Sequence, residues 1–188
     1  MVPPGVRVIA GTARGRRLVV PKGDAVRPTK DRVKAAIFSA LDSRGLLHDA
    51  AVLDLYAGSG ALGIEAISRG AAAATFVESA PPAIDALRHN VELCGFGAAA
   101  TVVGRNVATF VASARTTYDV AFVDPPYETT DDALAPLIET LAATVVPGGL
   151  IVLERPVRSN PPVPSDWRES WHRTFGDTLV VFLTPTSG

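Results

Sequence analysis

The chain of 188 residues holds one cysteine, one methionine and three histidines. Cys94 has no partner for an internal disulfide, and on a stretch of helical period it reads as a small buried hydrophobe in a cytoplasmic protein. His48, His89 and His172 are scattered without metal-ligand spacing, so no metal is expected. Long hydrophobic runs are missing as well. Apolar residues make up 47% of the chain, many are alanines, and no stretch approaches the roughly 20 residues that cross a bilayer. Met1-Val2-Pro3-Pro4-Gly5-Val6-Arg7 lacks a basic region followed by an apolar one, which argues against a secretory signal. There is no internal repeat and no low-complexity linker. These absences leave one globular domain of ordinary size with room for a small appendage.

The net charge of −1 is unevenly spread. Residues 1–34 carry nine Lys/Arg against two Asp, and the remaining chain carries nine against seventeen acids. A basic arm on an acidic body suits a polyanion such as nucleic acid, because neutralising phosphates supplies affinity that is independent of sequence. Val6 to Ala10 and Arg16 to Val20 flank Gly11-Thr12-Ala13-Arg14-Gly15, so the arm reads as a β-hairpin with a basic turn from which Arg14, Arg16 and Arg17 project. Past Arg27-Pro28-Thr29, apolar residues at Val33, Ala36, Ile37, Ala40 and Leu41 predict an amphipathic helix over 31–41, with Thr29 as its N-cap.

From residue 50 onward, short apolar runs at 51–55, 73–77, 100–103, 119–123 and 150–153 alternate with helical segments, which predicts a parallel sheet wrapped by helices. One such helix starts near Pro81-Pro82, faces inward through Ile84, Leu87, Val91 and Cys94, and stops at Gly95. A closing β-hairpin is expected over Trp167 to Thr174 and Asp177 to Thr184.

Val52 to Leu55 leads into Tyr56-Ala57-Gly58-Ser59-Gly60-Ala61-Leu62-Gly63, a strand, a glycine-rich turn and a helix start that contain G-x-G-x-x-G. Glu78 ends the next strand, where an acid meets a ribose diol. A nicotinamide or flavin dinucleotide satisfies the glycines alone, since they show only close backbone approach. Asp54 disfavours it: a pyrophosphate beside this carboxylate is a like-charge contact of about 4 kcal/mol at 4 Å in an effective dielectric near 20. A cofactor with an ammonium, a ribose and an adenine but no phosphate fits, and that is S-adenosylmethionine.

Asp124-Pro125-Pro126-Tyr127 ends the run Val120 to Val123. A carboxylate at the sheet rim, two prolines that leave carbonyls as acceptors, and an aromatic stacking face together form a clamp for a flat ring bearing an amine. In an open parallel sheet, ligands sit beyond the carboxyl ends of the strands, so Asp54, Glu78, Asn106 and Asp124 should share one crevice.

These motifs, with Arg7-Val8-Ile9-Ala10-Gly11, Arg14 to Leu18, Pro21-Lys22-Gly23, Arg27-Pro28-Thr29 and Asp31-Arg32-Val33, resemble the bacterial 16S ribosomal RNA guanine-N2 methyltransferase family over nearly the whole chain. The resemblance implies a Rossmann-like class I methyltransferase fold of the α/β class: a mostly parallel seven-stranded sheet with a C-terminal antiparallel hairpin and an N-terminal β-hairpin extension. Residues 1–26 would be the RNA-binding extension and 27–188 the S-adenosylmethionine-dependent domain. Asp124, Pro125, Pro126 and Tyr127 would be catalytic. The cofactor would be held by Thr29, Asp54, Tyr56, Ala57, Gly58, Ser59, Gly60, Glu78, Ser79, Asn106 and Val107. RNA would meet Arg7, Arg14, Arg16, Arg17, Lys22, Arg27 and Lys30. The partner would be ribosomal RNA within an assembled or assembling 30S particle, and the protein a cytoplasmic monomer without metal or membrane. Where the family has an acid after its third strand, this chain has Arg105-Asn106, whose amide oxygen is a weaker acceptor for an adenine amine. Tyr56 stands where Phe is commoner. The clamp itself serves adenine-N6 in DNA or RNA equally well, and a non-catalytic RNA-binding assembly factor would keep the same fold.

Overall fold

The computed structural model describes residues 6–21 and 28–186, with the backbone alone of residues 28 and 29. Helix α1 (Pro28–Asp42) is followed by β1 (Ala51–Leu55), α2 (Ala61–Ser68), β2 (Ala73–Glu78), α3 (Pro81–Cys94), β3 (Ala100–Gly104), α4 (Val107–Ser113), β4 (Tyr118–Val123), α5 (Asp131–Ala142), β5 (Val145–Pro156), β6 (Trp167–Phe175) and β7 (Thr178–Pro185). The seven strands form one sheet in the order β3-β2-β1-β4-β5-β7-β6. The first five are parallel, and β7 runs antiparallel between β5 and β6. The chain winds outward from β1 to β3 and then returns to β4, so the switch point lies between β1 and β4, where an open sheet leaves its crevice.

Helix α1 begins at Pro28, earlier than its apolar period indicates. Proline's fixed φ suits the first helical position, so Thr29 lies inside the first turn and is not the N-cap. Strand β5 also starts early: Val145 pairs with Tyr118, residues 146–149 bulge, and the ladder resumes at Val120 and Leu150. Gly95 ends α3 with φ 75°, as its sequence position requires.

Alternation along the strands divides the core. Val52, Phe76, Val120, Phe122, Leu150, Val152, Val180 and Phe182 face α1, α2, α3 and the N-terminal arm. Leu53, Leu55, Val77, Ala121, Val123, Ile151 and Leu153 face α4 and α5. The hairpin of the arm is short, with one antiparallel bridge between Arg7 and Arg17 extended by Val8 N–H to Arg16 O at 2.9 Å and Leu18 N–H to Val6 O at 2.8 Å. Its outer backbone groups bind α2 instead of another strand. Ile9 and Ala10 donate to Glu65 at 2.7 and 3.0 Å, Ala13 donates to Ser68 Oγ at 3.0 Å, and Val6, Val8, Ala13 and Leu18 are buried in the core.

Candidate active site at the carboxyl edge of the sheet

Register places four carboxylates on one face. Asp54 lies level with Phe76 and Phe122, and Phe122 with Val152. Side chains alternate along a strand, so two residues on, Glu78, Asp124 and Glu154 share the face of Asp54 at the strands' carboxyl ends. Helix α1 covers the same face through a Phe38–Phe122 ring contact at 5.6 Å.

The glycine-rich turn has a reason at each position. Tyr56 takes φ 57°, a left-handed conformation that costs a non-glycine residue on the order of 1–3 kcal/mol and clusters at functional sites. Gly58 and Gly60 follow with φ 54° and 78°, and Gly60 N–H closes the turn on Ala57 O at 2.7 Å. A Cβ on Gly60 would stand 2.3 Å from Leu87 Cδ1, and one on Gly63 2.3 Å from Phe76 Cε1. The third glycine of the pattern therefore serves packing of α2 on β2, and no phosphate is needed to explain it.

Asp54 is buried and accepts from Gly63 N–H at 2.9 Å. Burial pushes its carboxyl up to about 8, with the charges of Asp124 and Glu78 acting in the same direction and the Gly63 bond opposing them. Neutral at pH 7 when alone, Asp54 repels a pyrophosphate less than an ionised carboxylate would. The exclusion of phosphate passes to the charges of Glu78 and Asp124 on the same edge. Glu78 Oε2 accepts from Gly58 N–H at 2.9 Å, and Oε1 from Ser79 and Ala80 N–H at 2.7 and 2.9 Å. Three amides fix this carboxylate and leave about one lone-pair site, on Oε2, toward a diol. Ser59 is buried, and its carbonyl accepts from Asn90 Nδ2 at 2.9 Å. Asn106 caps α4, its Oδ1 accepting from Thr109 N–H at 3.2 Å, and Val107 is buried behind it.

On the acceptor side, Pro125 is buried and Asp124 half-buried, while Tyr127 is 62% exposed, open for stacking. Pro126 O accepts from Thr129 N–H at 2.9 Å; among the described residues no hydrogen bond uses the Pro125 carbonyl. Arg155, buried on the opposite face of β5, binds Asp131 Oδ1 at 2.9 Å and the Thr129 carbonyl, which pins the loop that follows Tyr127.

Glu154 was absent from the sequence-derived set. Burial raises its carboxyl well above the usual range, Asp124 and Asp54 push the same way, and Lys30 opposes them. The signal was present: an acid ending the fifth apolar run, at the edge where the other strand-end acids lie.

Arg7, Arg14, Arg16, Arg17 and Lys30 are exposed. Arg16 reaches the Leu93 carbonyl in the last turn of α3, the far end of that helix from Glu78. Lys22, Arg27 and the Thr29 side chain lie outside the described residues. No helix among the described residues is long and apolar enough to cross a membrane.

A family model, Conserved hypothetical protein 95, matches residues 6–184. The chain belongs to this family. Ribosomal RNA small subunit methyltransferase D of Escherichia coli (strain K12) is 39% identical over 171 residues, covering 89% of this chain and 83% of that protein. The Haemophilus influenzae protein of the same name is 33% identical, over 91% of this chain and 89% of its own length. A solved Escherichia coli chain superposes with TM-score 0.85 at 32% identity, covering 97% of this chain and 98% of that one. A Thermus thermophilus structure gives TM-score 0.81 at 35% identity, over 95% and 99%. The fold of this Conserved hypothetical protein 95 member is thus the Rossmann-like class I methyltransferase fold, with the seven-stranded sheet and closing hairpin that its motifs imply.

Proposed function

We propose that the chain transfers a methyl group from S-adenosylmethionine to the exocyclic N2 of one guanine in small-subunit ribosomal RNA, acting in the cytoplasm as a monomer on an assembled or assembling 30S particle. The observation that carries this reading is the shared edge of Asp54, Glu78, Asp124 and Glu154. An anionic face that disfavours phosphates suits a cationic cofactor and an amine that becomes cationic as it reacts. The residues fit the cofactor: Asp54 toward the ammonium, Glu78 toward the ribose hydroxyls, and the bare turn of Gly58 and Gly60 beneath them.

S-adenosylmethionine, when bound, supplies a methyl group whose bond to sulfur breaks as the bond to nitrogen forms. The chain's own residues do the rest. Asp124 and the Pro125 carbonyl accept the amine hydrogens, which localises the nitrogen lone pair and stabilises the charge growing on it. The amine's surplus proton passes to the carboxylates beside it. Tyr127 stacks on a base turned out of its helix, and alignment of nitrogen, methyl and sulfur supplies much of the remaining acceleration. Residues 1–26 serve as the RNA-binding extension and 27–188 as the catalytic part.

Labelled-methyl transfer to small-subunit particles, followed by nucleoside digestion, tests the reading. N2-methylguanosine is expected; N6-methyladenosine would move the substrate to adenine. Asp124→Ala should abolish transfer while calorimetry still shows cofactor binding, and an active Asp124→Ala protein would overturn the assignment. A chain that binds RNA but no cofactor would be an assembly factor.

A further inference from the structure

The basic turn of the arm is fixed toward the far end of α3 by Arg16 and Leu93, so a polyanion held beside Asp124 must be met by cations nearer the carboxyl edge, where Lys30 acts on Glu154. A depression of about 310 Å³ supplies them, lined by Arg32 of α1 and by Arg173, Thr174, Phe175 and Gly176 at the turn between β6 and β7. Because β7 runs antiparallel to β5, with Thr178 level with Pro156, that turn lies at the carboxyl end of the parallel strands. Arg173 is level with Val180, and Val180 with Glu154, so Arg173 is on the α1 face, in one row with the acids. Three strand spacings separate it from Asp124, about 14 Å.

Both arginines are exposed, and among the described residues neither forms an ion pair. Arg173 lies over the Phe175 ring at 5.2 Å, a contact that holds its guanidinium at the hollow. On a body rich in acids, two unneutralised guanidinium groups from different elements converging on one hollow form an anion site. We propose that this hollow binds a backbone phosphate of the RNA strand, a few nucleotides from the target base, and so fixes the strand across the mouth of the active site. The proposal rests on the methyltransferase reading given above.

The test is binding and methylation of small-subunit particles and of a single-stranded RNA across a salt series, with the full chain, the double variant Arg32→Ala/Arg173→Ala, and Arg168→Ala. Arg168 is exposed on the same strand, near the amino edge, and serves as the charge control. The double variant should lose about tenfold or more in affinity, with a slope of log affinity against log salt shallower by about 0.7, the one phosphate that the two arginines share on a single strand. Arg173→Lys should keep the salt slope and lose part of the affinity, since a point charge replaces the planar fork. Calorimetry with S-adenosylhomocysteine should give parent affinity for every variant. Equal affinity and slope for the double variant and Arg168→Ala would overturn the phosphate site while leaving the methyltransferase reading intact. A parent protein that methylates no small-subunit RNA would overturn that reading instead.

Discussion

Asn90 pairs with Val19 as a strand neighbour would: its Oδ1 accepts from Val19 N–H at 2.8 Å and its Nδ2 donates to Val19 O at 2.8 Å. The same Nδ2 donates to Ser59 O at 2.9 Å. One fully buried amide thus ties the N-terminal arm to the cofactor loop. Replacing it with leucine keeps the volume but strands the Val19 N–H and the carbonyls of Val19 and Ser59, the last of these in a buried bond. Asn90→Leu should cost about 2–3 kcal/mol in urea denaturation and weaken S-adenosylhomocysteine binding, because Ser59 loses its anchor. A parent-like unfolding midpoint would show that water replaces the amide.

Glu65 binds the arm more strongly. It is fully buried, accepts from Ile9 and Ala10, and meets Lys34 Nζ at 3.2 Å and Arg69 Nε at 2.8 Å. Lys34 also donates to Arg7 O at 2.6 Å. Glu65→Ala leaves the buried Lys34 ammonium without its acid and Arg69 with Asp42 alone, at 2.6 Å, and is expected to cost about 3–5 kcal/mol. Lys34→Met added to Glu65→Leu should cost less than the two single losses combined, a coupling that a double-mutant cycle measures.

Asn90 and Glu65 mark where sequence reading stops. The strands, the crevice and three of the four edge acids were legible because they follow from alternation and from strand ends, which are local. Asn90 sits among the inward positions Leu87, Val91 and Cys94, and Glu65 between Ile64 and Ala66. A polar residue in an apolar face announces a buried partner but not its identity. Those partners lie 71 and 56 residues away in the chain, a distance no local pattern spans. The glycines of the pattern divide: it reads as approach by a ligand, a role that stays with Gly58 and Gly60, while a Cβ on Gly63 would collide with the Phe76 ring.

Gly63→Ala tests that last point. The added methyl would meet Phe76 Cε1 at 2.3 Å and Cζ at 2.7 Å, so α2 must shift or the ring must turn. A loss of about 1–3 kcal/mol is expected, and Phe76→Leu in the same chain should recover much of it by opening space. If Gly63→Ala instead abolishes cofactor binding with stability unchanged, the glycine serves the ligand.

Asp54 couples cofactor binding to pH. Its folded value of about 8 lies above the unfolded value of about 3.9, so from about pH 4 to 8 the folded state holds a proton that the unfolded state has released. Unliganded stability therefore falls as pH rises through that window. A cationic cofactor favours the ionised form, so its binding near neutrality should release a proton and tighten as pH approaches 8. Calorimetry in buffers of different ionisation enthalpy reads that proton, and Asp54→Asn should abolish both the release and the pH dependence. Binding heats independent of buffer in the parent would mean that Asp54 keeps its charge state.

Glu154 makes the reacting edge itself titrate. Burial and the neighbouring charge of Asp124 hold its carboxyl well above the usual glutamate range, so at the acid end of the working range it is neutral, and glutamine is a fair copy. There, Glu154→Gln should turn over within about threefold of the parent. Only above the pH at which the parent's Glu154 ionises does it place a second negative charge beside an amine that becomes positive during methyl transfer, and from there the parent should pull ahead of the variant. The readout is the ratio of the two single-turnover rates against pH, with saturating cofactor to separate chemistry from binding. A ratio flat across the range would remove Glu154 from the reaction; a variant inactive at every pH would mean that the carboxylate is required in its ionised form throughout.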